Sequence, residues 1–108
     1  MFYQSKQYRD AYIKFGDLLF VDLSVSVKRK ELPTEQEYGS EKFIHLCVFS
    51  GIDSTGTGQI FAIVILNDVN YNSLSWSVNE FFQYNETPET VISDYSQEDL
   101  NRVLADHL

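Results

Sequence analysis

Two carboxylates stand at positions where mixed α/β sheets do chemistry. Asp22 interrupts an apolar run in the segment LLFVDLSVSV, residues 18 to 27, and Asp94 follows ETVIS just before a helical stretch. Strand residues alternate between two faces. Leu19, Val21, Leu23, Val25 and Val27 make one face apolar throughout, whereas Leu18, Phe20, Asp22, Ser24 and Ser26 turn polar at Asp22. A charge there is costly unless it is paired, solvated or bound to a metal. Ligand-binding groups of such sheets gather at the C-terminal ends of strands. A right-handed crossover lays the strand ending at Asp94 parallel beside that of Asp22. The two carboxylates then come within about 8 Å, a gap that one or two divalent cations can bridge. Oxygen ligands of this kind suit magnesium or manganese. Two such ions activate water or a 3′-hydroxyl and stabilise the leaving oxygen in phosphoryl transfer. Asp22 and Asp94 are therefore the candidate catalytic and metal-binding residues.

The elements that must position them follow from periodicity. Tyr8, Ala11, Tyr12 and Phe15 recur at helical spacing, which predicts a leading helix within residues 1–16, ended by Gly16. The first strand covers about residues 17–27. The polar stretch KRKELPTEQEYGSEK reads as a loop. FIHLCVFSGI and QIFAIVIL flank the turn-forming DSTGTG and predict a hairpin. Both strands are almost continuously apolar, which predicts cover on both sheet faces. Tyr71, Leu74, Val78, Phe81 and Phe82 predict a helix over 71–84, with Trp76 off the centre of its stripe. ETVIS is a short fourth strand. Ser96 and Asp99 resemble a capping box opening a last helix through Leu100, Val103 and Leu104. The order αβββαβα predicts a mixed α/β sheet.

Other reactive residue types have ordinary roles. Cys47 is a core thiol among FIHLCVFS, and one cysteine forms no internal disulfide. His45 has no second ligand at metal-site spacing, and His107 suits a helix C-terminus. Asp53 is a turn former, and its Gly-rich loop lacks the lysine of a phosphate-binding loop. Trp76, Phe81 and Phe82 read as core.

The 108 residues suffice for a single domain or part of one, and 44% hydrophobic residues supply a core. The net charge of −8 argues against general affinity for nucleic acid. It is unevenly placed: residues 1–42 hold seven basic and seven acidic side chains, residues 43–108 one basic and nine acidic. No apolar run approaches the roughly 18 residues of a membrane span, and the N-terminus lacks the apolar core of a signal peptide. An intracellular, reducing location is the expectation.

The ordered motifs resemble the Mutator-like element (MULE) transposase domain of the ribonuclease H-like superfamily, over roughly residues 11–108. Asp22-Leu23-Ser24 stands for the family's Asp-Ala-Thr strand, with Ser replacing Thr. Gly51-Ile52-Asp53, Trp76, and Pro88 to Asp94 match its turn, its Trp-containing helix and its Pro…Asp strand end. The resemblance implies a ribonuclease H-like α/β fold, DNA transposition by metal-dependent cleavage and strand transfer, and a nuclear location. Asp22 and Asp94 match the first two acids of the family's Asp, Asp, Glu set, which implies magnesium or manganese as cofactor. The third acid lies on a helix further downstream; Glu98 and Asp99 are too close to Asp94 and suit a helix start. The expectation is thus a partial domain, lacking the usual fifth strand and final helix, that is inactive alone and meets DNA only within a longer protein. The alternative is a small acidic protein-interaction module, an inhibitor or a domesticated subunit. Without a fifth strand, residues 90–108 would expose an edge and a helix face, predicting a protein partner or self-association there.

Overall fold

The computed structural model describes residues 1–29, 42–93 and 97–107, and only the backbone of residues 24–29 and 42–43. Its elements are β1 (Phe2–Tyr3), α1 (Lys6–Phe15), β2 (Leu18–Arg29), β3 (Lys42–Ile52), β4 (Gly58–Leu66), α2 (Tyr71–Tyr84), β5 (Thr90–Ser93) and α3 (Glu98–His107). The architecture is α/β, with three helices on a mixed five-stranded sheet ordered β1-β4-β3-β2-β5. The pairs β1/β4, β3/β4 and β2/β3 are antiparallel, and β5 runs parallel to β2. A parallel neighbour requires a crossover, and α2 provides it.

Local chemistry sets the element ends. The Ser5 side chain accepts from the Tyr8 amide at 3.0 Å and opens α1. Gly16 closes it by donating its amide to the Tyr12 carbonyl at 2.8 Å, where an added Cβ would lie 2.5 Å from that oxygen. Asn70 and Ser73 form a reciprocal capping box on α2. At α3 the Gln97 carbonyl accepts the first helical hydrogen bond, from Asn101, so Gln97 holds the capping position assigned to Ser96; Ser96 itself lies outside the described residues.

The sequence-based element order needs three corrections. A short strand, β1, precedes the leading helix, giving βαβββαβα. Two residues are too few to carry a period. It is held because the Met1 amine donates to the Ile65 carbonyl at 2.7 Å and the Ile65 amide donates back to Met1 at 2.8 Å. The sheet therefore has a fifth strand, at the edge opposite β5. Second, β2 continues to Arg29 and β3 begins at Lys42, so Lys28 and Arg29 are strand residues rather than loop.

Third, the helices cover a single face. Leu19, Val21, Leu23, Cys47, Phe49, Ala62, Val64 and Leu66 line the inner side of the sheet. They join Tyr12, Leu74, Val78, Phe81, Leu100, Val103 and Leu104 in one core. Phe81 stacks on Phe49 at 4.3 Å between ring centroids, and Tyr12 meets Phe61 and Phe81 edge-on at 5.2 and 5.0 Å. Each large buried side chain contributes about 1.5–3 kcal/mol. Among the described residues the outer face is different: Phe20, Leu46, Val48, Ile63 and Ile65 are only half-buried, and Leu18, Ile60 and Ile92 are exposed. Continuous apolarity thus reflects a half-buried face, not a second helical layer. The apolar face of α3, by contrast, is covered within the chain by α2.

Candidate metal site beyond the β2/β5 ladder

The strand arrangement expected around Asp22 is present. Leu18, Leu19, Phe20 and Val21 pair in parallel with Thr90, Val91, Ile92 and Ser93. That ladder ends one residue before Asp22 on β2 and, in sequence, one residue before Asp94. Asp94 lies outside the described residues, as does Ser96. Ser93, the last described residue of β5, donates its hydroxyl to the amide oxygen of Asn101, which fastens the strand end to α3.

Asp22 is exposed and pairs with Val48 of β3. Immediately beyond it the ladder shifts: the next pair is Val25 with Leu46, so Leu23 and Ser24 together oppose Cys47. This β-bulge breaks the alternation read from Leu19 to Val27. Bulges bend a strand and re-aim its side chains, and they are over-represented beside active sites. The Asp22 carboxylate also acts on its neighbour. Cys47 is buried, and its thiol is pushed up to about 12, first by burial and then by the Asp22 charge. A thiol so placed stays protonated at neutral pH, as the core assignment requires.

Among the described residues no group of three or more His, Cys, Asp or Glu could hold a metal ion. Asp22 contributes one hard oxygen donor within β2, one residue past the ladder it shares with β5, chemistry that fits magnesium or manganese.

The remaining motif residues have structural duties. Asp53 caps the β3–β4 turn: one carboxylate oxygen accepts from the Thr55 amide (2.9 Å), the Thr55 hydroxyl (2.6 Å) and the Thr57 amide (3.0 Å), and the other accepts from Gln59 Nε2 (2.8 Å). These bonds hold the carboxyl at about 2. Gly56 takes φ +84°, which glycine adopts without strain. Gly51 lies under the Phe61 ring, where an added Cβ would approach to 2.5 Å. Phe81 is core and Phe82 half-buried, but Trp76 is 42% exposed, contrary to its core assignment.

A cleft of about 330 Å³ opens at the N-terminal ends of β2 and β5, between α1 and residues 84–88. Tyr12 there donates its hydroxyl to the Glu86 carbonyl, and burial, then Glu86 and Asp17, push its phenol up to about 12. Because Gly16, Asp17 and Pro88 precede β2 and β5, this cleft is not continuous with Asp22. Among the described residues no helix is long and apolar enough to cross a membrane.

No family model matches the chain, and no solved structure matches it. Over 88 residues, 80% of the chain, it is 26% identical to Protein FAR1-RELATED SEQUENCE 11 of Arabidopsis thaliana. The chain spans about a tenth of that protein, the aligned part being 11% of it. This likeness supports a distant link to transposase-derived proteins.

Proposed function

We propose that the chain is a transposase-derived domain of Mutator-like type, built on a ribonuclease H-like sheet, in which Asp22 and Asp94 hold magnesium or manganese. The observation that carries this reading is the in-register parallel ladder of β2 and β5, which runs up to the residue before each aspartate. The strand order β4-β3-β2-β5, with only the last pair parallel, suits the same fold. Bound metal would supply water activation and leaving-oxygen stabilisation for DNA cleavage and strand transfer. The chain's own part is to aim the two carboxylates: the bulge after Asp22 sets one, and the Ser93–Asn101 bond steadies the approach to the other. Two carboxylates are one short of the family's set, so the 108-residue polypeptide binds metal without cutting DNA. Its acidic balance leaves DNA contact to a longer protein acting in the nucleus.

Manganese titration followed by NMR tests this. Paramagnetic broadening should begin at the Val21 and Ser93 amides, and Asp22→Asn or Asp94→Asn should abolish it, with no cleavage of duplex DNA at any point. Broadening that ignores both substitutions removes the metal site. Cleavage that Asp22→Asn abolishes overturns the inactivity.

The second reading, a small acidic interaction module, draws on β5. Among the described residues this strand pairs only with β2, and Ile92 is 45% exposed. An unguarded edge invites strand addition, by a second copy or another protein. Sedimentation at micromolar concentration should then give a species larger than the monomer that Ile92→Lys dissociates; a monomer at all concentrations rules out self-association. Leu104, only 6% exposed, is a core position and no probe of this contact.

A further inference from the structure

The chain carries a second surface, remote from Asp22, that neither its strand ends nor its acidic pair explains. Trp76, Glu80 and Tyr84 recur every four residues along α2 and therefore share one side of the helix. They face β1 across an open cleft of about 590 Å³, whose other wall includes Phe2, Tyr3 and Arg9. Three of its rings are largely in solvent: Tyr3 is 50% exposed, Trp76 42% and Tyr84 51%. Among the described residues none of their polar tips has a hydrogen-bond partner in the protein. The walls are braced. Phe2 stacks on Tyr84 at 6.1 Å and 23°, and Tyr3 meets Tyr8 edge-on at 5.8 Å.

We propose that this cleft binds a proline-rich protein segment in the polyproline II conformation, with a basic residue beside the prolines. Such segments dock on aromatic-lined grooves because they present flat prolyl rings and unpaired carbonyls in a preformed helix. The cleft offers the complement: aromatic walls, two hydroxyls and one indole N–H. Along α2 the Trp76 and Tyr84 positions are about 12 Å apart, the rise of about four polyproline II residues, so the two rings meet prolines four positions apart. Glu80 lies between them and offers the basic flank a carboxylate, on the wall opposite Arg9 and the Met1 amine. Stacked bases are the other ligands of exposed aromatic platforms, but single-stranded nucleic acid needs a basic groove. Among the described residues only Arg9 and the Met1 amine bring positive charge to this one.

Trp76 is the chain's single tryptophan, so its emission reports on this cleft alone. The probe is a ten-residue peptide of repeated proline pairs ending in arginine, titrated into the full chain. A saturable blue shift at submillimolar peptide is expected. Tyr84→Ala should weaken binding about tenfold, and Tyr84→Phe less. Glu80→Gln should weaken the arginine-ended peptide but not one ending in alanine. Far-UV circular dichroism and the thermal midpoint confirm that each variant folds. No saturable shift at millimolar peptide, equal affinity in Tyr84→Ala, or an equal shift with a thymine decanucleotide would each overturn the proposal.

Discussion

Phe81 is the residue on which the packing of the crossover helix turns. It is fully buried, stacked on Phe49 at 4.3 Å and 3°, and in edge contact with Tyr12 at 5.0 Å and Phe82 at 5.1 Å. Its ring joins α1, α2 and β3 at one point. Phe81→Ala removes the buried ring and leaves a cavity, which costs about 3–5 kcal/mol; aromatic pairs contribute about 0.5–1.5 kcal/mol beyond burial. A cost of about 4 kcal/mol is a large share of the roughly 5–15 kcal/mol that holds a domain together. At about 4–8 °C per kcal/mol for a chain near this size, the midpoint falls by roughly 20 °C. Urea and thermal unfolding followed by far-UV circular dichroism measure the cost and the midpoint. Phe82→Ala, at a half-buried neighbour, should cost about 1–2 kcal/mol. A double-mutant cycle of Phe49→Leu with Phe81→Leu should show coupling of about 1 kcal/mol. If Phe81→Ala costs no more than Phe82→Ala, or the cycle is additive, the ring stack is not what fastens α2 to the sheet.

Two further predictions concern titratable groups. Asp53 is held at about 2, below its ordinary 3.8, first by the Thr55 side chain and then by Gln59 and Thr57. A depressed carboxyl contributes stability that is present above its unfolded value and lost as pH falls through the folded one. Asp53→Asn should therefore lower the urea midpoint at pH 7 and flatten its decline between about pH 4 and 2; an unchanged acid limb refutes the cap. Cys47, pushed up to about 12, should resist a thiol reagent at pH 8 until the chain unfolds. Asp22→Asn should lower the thiol's titration, read as thiolate absorbance, yet leave it well above neutral because burial is the larger cause; labelling of the native chain within minutes would contradict this.

Long-period features were legible in the sequence, and short or contextual ones were not. The stripe from Tyr71 to Phe82 located α2, because fourteen residues repeat the helical period several times. The hairpin around DSTGTG was marked by residues whose turn chemistry is local, and Asp53 fulfils it with its own side chain. β1 had no such signature, since its two residues are held by backbone bonds to β4, sixty residues away. The bulge after Asp22 was invisible for the same reason: it is a mismatch between two strands, not a property of either. Trp76 was misassigned because a large aromatic on a helix is usually core. Its spacing to Glu80 and Tyr84 was the available sign that it belonged to another stripe.

The bulge also changes why Asp22 attracts attention. Read as an alternating buried strand, its carboxylate demanded compensation, and a metal was one way to provide it. On the sheet it is exposed, on the face that no described helix covers, where solvation alone suffices. Energetic frustration therefore no longer argues for a metal. What argues for one is placement: an exposed carboxylate on β2 just past the end of its parallel ladder with β5, followed by a bulge that shifts the pairing with β3. Solvation explains why a charge is tolerated there but not why the ladder is interrupted immediately after it. The metal reading gives that interruption a purpose. It rests on geometry shared by two strands rather than on the cost of one charge.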